Sequence, residues 1–90
     1  MNYRVEYTGR AFDEIKKLGK KTAKRVLDKI KFFSQQKDPL SFAKKLENPR
    51  FGTYRFRIGD YRAIFDIDRN GNITILLILS VKHRKDVYKF

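Results

Sequence analysis

The sequence predicts an α+β fold, with an N-terminal strand and a helical hairpin packed on one face of a small, mostly antiparallel twisted sheet. Three observations carry that expectation. Apolar and polar residues alternate over 2–7 and again over 54–67, the period of strands. Apolar residues between 12 and 33 recur at helical spacing. Two glycine-centred breaks, Gly59-Asp60 and Asn70-Gly71, divide the C-terminal half into strands that reverse direction. Helices gathered on one face of such a sheet leave the other face open to a ligand. Ninety residues fit one domain, spanning 1–90, with a modest core, and no internal repeat, low-complexity tract or linker interrupts them.

Each element has its own justification. Tyr3, Val5 and Tyr7 alternate with Arg4 and Glu6, which defines a first strand over 2–7. Thr8 offers its hydroxyl to the unpaired amides of a first helical turn, and Phe12, Ile15 and Leu18 form a stripe that Gly19 stops. Thr22 is expected to open a second helix, whose stripe runs Ala23, Val26, Leu27, Ile30 and Phe33. Pro39 ends that helix, because proline disfavours the helical conformation in the residue before it. Leu40, Ala43 and Leu46 give a weak helical pattern over 40–47, one or two turns at most, and Asn48-Pro49 marks a connection. After the hairpin of 54–67, Asn70-Gly71 suits a type I′ turn. The stretch 73–81 is apolar on both faces and reads as a central strand covered on both sides.

The hairpin carries the chemistry. Tyr54, Phe56 and Ile58 share one face, while Arg55 and Arg57 share the other. With Gly59-Asp60 as a two-residue loop, Ile58 lies opposite Tyr61 and Arg57 lies opposite Arg62, so three guanidinium groups crowd one patch. Like charges directly across a strand pair are destabilising. A solvated strand face accounts for arginines in general, but an anion accounts for this crowding, and the best candidate is a phosphate backbone.

Total charge points the same way. The chain is +12 at neutral pH, from 22 basic and 10 acidic residues, and the excess is spread along its length rather than gathered in a tail. A compact domain so charged attracts nucleic acid or an acidic partner protein. Lys16, Lys17, Lys20, Lys21, Lys24, Arg25, Lys29 and Lys31 crowd the outer face of the helical hairpin, as either a solvated surface or an RNA-docking one. A helix-turn-helix DNA reader fits less well, since lysine positions phosphates better than it reads base edges. With no Cys there is no disulfide framework, thiol nucleophile or thiolate metal site, and one His cannot make a zinc site, so neither a metal nor a cofactor is expected. The chain opens without the apolar stretch of a secretion signal, and its longest apolar run, Ile75 to Leu79, is too short to span a bilayer. A cytoplasmic location without a membrane partner is the expectation.

At the C-terminus, His83 and Arg84 follow the last strand and are expected near a sheet end, with Tyr88 folding back across the sheet. His83 is the chain's one imidazole, the side-chain type suited to exchanging protons near neutrality.

The element order, the segment Tyr54-x-x-Arg57-x-Gly59-x-Tyr61-Arg62-x-Ile64-Phe65 and the ending His83-Arg84-x-Asp86-x-Tyr88 together resemble the RelE/ParE superfamily of toxin–antitoxin toxins. The likeness covers essentially the whole chain and is most specific around Gly59-Asp60-Tyr61-Arg62. It implies a toxin held inactive by an acidic antitoxin. In RelE-like members it implies a metal-independent endoribonuclease that cuts messenger RNA in the ribosomal A site. ParE-like members share the fold but poison DNA gyrase, and a non-catalytic basic RNA-binding or antitoxin-binding domain is a third reading. By the resemblance, Arg55 and Arg57 contact the scissile phosphate and Arg62 is the arginine after the turn. Arg84, or with a one-residue shift His83, protonates the leaving group, and Tyr88 stacks on or orients a nucleotide. Where well-known RelE toxins carry lysine at the two strand positions, this chain has arginine. Guanidinium stays charged and is a poor general base, so proton transfer is expected of His83 or Tyr88. The expected catalytic set is therefore Arg57, Arg62, His83, Arg84 and Tyr88. Arg55 and the helix residues Lys16, Lys17, Lys20, Lys21, Lys24 and Arg25 are expected to bind RNA.

Overall fold

The computed structural model describes residues 2–47 and 52–87. Strand β1 (Asn2–Tyr7) leads through Thr8 into α1 (Gly9–Lys16). Thr8 is the N-cap. Its Oγ1 accepts the Ala11 amide at 3.1 Å and donates to the Leu79 carbonyl at 3.0 Å. One hydroxyl thus starts the helix and pins it to the sheet. Helix α2 (Lys20–Ser34) opens two residues ahead of Thr22, with Gly19 as a backbone N-cap lacking any side-chain bond. A 3-10 turn (Pro39–Phe42), β2 (Ala43–Lys45), β3 (Tyr54–Ile58), β4 (Tyr61–Asn70), β5 (Ile73–His83) and a short α3 (Arg84–Val87) complete the order.

The sheet runs β1-β5-β4-β3-β2, with β1 parallel to β5 and the other pairs antiparallel. Two local expectations need correction. The helical pattern over 40–47 resolves into the 3-10 turn followed by β2, which pairs Lys44 with Arg55 on β3. A three-residue strand is too short to show a period, and the edge of β3 specifies it. The second hairpin turns on Gly71-Asn72 rather than Asn70-Gly71. Gly71 alone has positive φ there, 62°, so the turn is not type I′, which needs two such residues.

Both helices pack on one face. Ala11, Ile15, Val26, Ile30 and Phe33 meet Phe56, Ile58, Ala63, Phe65, Leu76, Ile78 and Val81 from the sheet. The buried stripes are narrower than the sequence implied, because Phe12 (54%) and Leu27 (39%) remain exposed. In α1 the inward row is Ala11 and Ile15, continued by Leu18 in the turn after the helix, four and three residues apart. Strand β5 buries Leu76 and Ile78 under the helices, but Ile75, Leu77 and Leu79 on its other face are only half-buried. Double coverage of this strand is therefore incomplete.

A column of rings crosses the core. Tyr54 and Phe65 lie 5.7 Å apart, Phe65 and Phe56 4.3 Å, Phe56 and Phe33 4.8 Å, and Phe33 and Phe42 5.1 Å, with ring planes inclined by 23–31°. Offset stacks of this kind add about 0.5–1.5 kcal/mol each beyond their buried area.

Candidate nucleic-acid interface

The β3–β4 register is Ile58↔Tyr61 and Arg57↔Arg62, as the two-residue loop requires. Gly59 has φ 58°, and among the described residues no non-glycine has positive φ, the pattern of a type II′ turn. Tyr54, Phe56, Ala63 and Phe65 belong to the helix-packed face. Arg55, Arg57 and Arg62 therefore share the opposite one. There they line a groove of about 250 Å³ with Lys44 and Phe42. The register sets Lys44 opposite Arg55 and Arg57 opposite Arg62, two like-charged cross-strand pairs that weaken the sheet unless an anion lies between them. Among the described residues no carboxylate lines the groove.

Arg62 is oriented by the turn it follows: its Nη1 donates to the Gly59 and Tyr61 carbonyls, both at 2.9 Å. Arg57 is exposed and forms no ion pair among the described residues. Other elements converge on the same turn. The Arg25 guanidinium from α2 lies against Gly59, where a Cβ would sit 2.8 Å from its Nη2. The Arg84 amide donates to the Asp60 carbonyl at 2.7 Å, with Arg84 Nε 3.7 Å from the Asp60 carboxylate. Arg84 is thus docked at the turn through its backbone.

His83 does not join the arginines. It pairs with Tyr61 across β4 and β5 and meets that ring edge-on at 5.5 Å, on the helix-packed side. Its Nδ1 accepts the Lys85 amide at 3.2 Å, the geometry of an N-cap residue at the start of α3. The imidazole therefore lies on the other sheet face from Arg55, Arg57 and Arg62. Tyr88 lies outside the described residues.

Lys16, Lys17, Lys20, Lys21, Lys24 and Arg25 are all exposed on the helices. Their charge is partly engaged. Lys24 Nζ lies 2.8 Å from Asp28, whose hydrogen bond and charge raise the lysine's pKa. The Lys16 ammonium sits 4.7 Å over Phe12. A shallow groove of about 480 Å³ follows α2 past Lys21, Lys24, Arg25, Lys29 and Phe32. The helix surface and the arginine groove are therefore two separate cationic features. Among the described residues no cluster of three or more His, Asp or Glu side chains is placed to hold a metal ion.

Comparison with known proteins gives this arrangement a family. Residues 5–88 match the family model of the ParE toxin of the type II toxin–antitoxin system parDE. Toxin RelG of Mycobacterium tuberculosis is 33% identical over 89 residues, covering 99% of both chains. The chain is a toxin of the RelE/ParE superfamily of type II toxin–antitoxin systems. Solved relatives agree in fold. The toxin–antitoxin complex RelBE2 from M. tuberculosis superposes with a TM-score of 0.63 at 29% identity, covering 93% of this toxin and 100% of that chain. The archaeal RelE–RelB complex from Pyrococcus horikoshii gives 0.66 at 29% identity, covering 93% and 97%.

Two groove residues of this toxin, Lys44 and Phe42, were not singled out by sequence reasoning. Treating 43–45 as a strand would have placed Lys44 opposite Arg55 by pairing alone. Among the described residues no helix is long and apolar enough to cross a membrane.

Proposed function

We propose that this toxin is an endoribonuclease that cuts messenger RNA in the ribosomal A site by intramolecular transesterification. The observation that carries the reading is the groove in which Arg55, Arg57 and Arg62 share one open sheet face. The ribose 2′-oxygen attacks the adjacent phosphorus and the bond to the 5′-oxygen breaks. The products are a 2′,3′-cyclic phosphate and a free 5′-hydroxyl. A proton leaves the 2′-hydroxyl and one reaches the departing oxygen, and the reaction itself consumes no water or metal.

Arg57 and Arg62 face the added charge of the pentacoordinate intermediate, a preorganised contribution of roughly 3 kcal/mol per donor. The two carbonyl bonds of Arg62 fix its direction before substrate arrives. Arg55, Lys44 and Arg84 hold neighbouring phosphates. Guanidinium groups keep their protons, so proton transfer belongs to Tyr88 or to ribosomal groups, and His83 acts by capping the helix that carries Arg84. The exposed lysines of α1 and α2 dock on ribosomal or messenger phosphates.

The two solved relatives are toxin–antitoxin complexes. By extension an acidic antitoxin holds this toxin inactive, its charge complementing the +12 of the chain. Ribosome and message place the action in the cytoplasm.

The ParE family match favours a second reading, a gyrase poison, which binds a protein and has no use for a phosphate clamp. Purified toxin added to a translating extract and to a gyrase supercoiling reaction separates them. The favoured reading expects cleaved message with supercoiling intact. Blocked supercoiling with intact message selects the ParE-like reading, and neither effect selects a non-catalytic binding domain.

A further inference from the structure

The arginine groove has one wall that a phosphate does not need. Phe42 lines it beside Lys44, Arg55, Arg57 and Arg62, with 44% of its surface exposed. This ring is the outer end of the aromatic column. Phe65 and Phe56 are fully buried and Phe33 is 8% exposed, so at this end exposure rises at the last layer. Phe32 braces Phe42 from a second side, edge-on at 6.4 Å. The ring's plane is therefore set by packing before any ligand arrives, which lowers the ordering cost of binding.

A groove of about 250 Å³ falls below the ~300–1,000 Å³ of pockets that enclose drug-sized ligands. It suits a phosphate and one flat group lying partly outside, not a whole enclosed molecule. Single-stranded RNA presents that pair, because each phosphate is followed within one nucleotide by an unstacked base. A duplex keeps its bases stacked on one another.

We infer that Phe42 is a stacking platform for one unpaired base of the strand whose phosphate the groove arginines hold. The base forms the next layer of the column and fixes which phosphate falls between Arg57 and Arg62. Stacking tolerates every base, since each has a π face, so Phe42 positions the strand without selecting sequence. The inference rests on the RNA-cleavage reading and adds a contact to it.

The chain contains no Trp, so Phe42→Trp introduces a single indole at the platform. Titration at low salt with a short single-stranded RNA is expected to quench that fluorescence, saturating together with the anisotropy of the labelled strand. Phe42→Leu keeps an apolar contact with Phe33 but removes the π face. It is expected to bind the RNA roughly 5- to 150-fold more weakly and to bind a fully abasic strand as wild type does. RNA binding without quenching in Phe42→Trp, or equal affinity of Phe42→Leu and wild type for the base-bearing strand, overturns the stacking role. If Arg57→Ala is weakened in that same titration, the phosphate clamp survives such a result. Wild-type binding by Arg57→Ala overturns the clamp and the platform together. Because Phe42→Trp retains a ring in the column, the quenching arm stands even where Phe42→Leu misfolds.

Discussion

Glu14 accepts the Ser80 hydroxyl at 2.7 Å, the Val81 amide at 3.3 Å and the Lys82 ammonium at 2.7 Å, at the point where β1 ends at Tyr7↔Ile78 and β5 continues. The carboxylate satisfies strand groups that β1 no longer reaches. Burial pushes its pKa up, but hydrogen bonds from Lys82 and Ser80, the Lys82 charge and the Val81 amide outweigh burial and hold it below the ordinary glutamate value. A lowered folded-state pKa contributes stability that is present above the unfolded value, about 4.3, and lost as pH falls through the folded one. Urea unfolding across the acid range should therefore show wild type more stable than Glu14→Gln near neutrality, with the gap closing below about pH 4. A gap independent of pH would mean that shape, not charge, is what Glu14 supplies. His83 makes a sharper case. If it caps α3, His83→Asn should retain cleavage, since Asn is a good cap, while His83→Ala loses activity through a loosened Arg84. If it moves a proton, both variants should fall by about 100- to 10,000-fold. Single-turnover cleavage separates the two, and the capping geometry predicts the first outcome. The sequence makes Arg57 and Arg62 legible as a pair because alternation and a two-residue loop fix their register. It hides the side of His83. Counting alternately from buried Leu76 and Ile78 puts residue 83 on the arginine face, but the register shifts at Ile64/Phe65. A one-residue bulge reverses every face beyond it, and nothing in Ile78-Leu79-Ser80 announces it.

Elements with many periods were readable and those with few were not. Strand β1, both long helices and the β3–β4 hairpin each repeat their pattern often enough to show it, and the Thr8 cap was visible as a hydroxyl before an apolar stripe. Strand β2 has three residues and borrows its structure from β3, so its contribution of Lys44 to the groove was invisible. The helical stripe of α2 was read correctly but too widely at Leu27, which is exposed. That misfit has a use. Leu27 lines a groove of about 730 Å³ whose apolar wall is Tyr3, Val5 and Tyr7 and whose polar wall is Asp28, Lys31, Ser34, Gln35 and Gln36, beside β1 at the edge of the sheet. An edge strand next to a groove with one apolar wall fits an extended partner that adds a strand and buries alternate side chains. The antitoxin is the expected occupant. Leu27→Glu should weaken co-purification with the antitoxin by at least about tenfold, because an unpaired carboxylate is costly to bury. Its thermal unfolding and RNA cleavage should stay near wild type, since Leu27 belongs to neither the core nor the arginine groove. Unchanged antitoxin affinity would move the partner to another surface.

At the scale of the whole molecule, the +12 charge includes two concentrations, a lysine-rich helical surface and an arginine groove on the opposite sheet face. The two should separate in experiment. Lys20→Ala with Lys21→Ala should flatten the salt dependence of RNA association by about 0.7 in log–log slope for each phosphate no longer neutralised, while bound RNA is still cut at the wild-type rate. A flattened slope together with abolished cleavage would merge the two surfaces into one. The central claim is that the sheet-face arginines stabilise a transesterification. Its most direct measurement is single-turnover cleavage of a ribosome-bound message, with the chemistry of the new ends determined, for wild type and Arg57→Ala at saturating toxin. The account predicts 2′,3′-cyclic phosphate and 5′-hydroxyl ends from wild type. It predicts the same ends from Arg57→Ala, formed about 100- to 1,000-fold more slowly with the fold intact by circular dichroism. Wild-type rates from Arg57→Ala, or 5′-phosphate ends from either protein, would contradict it.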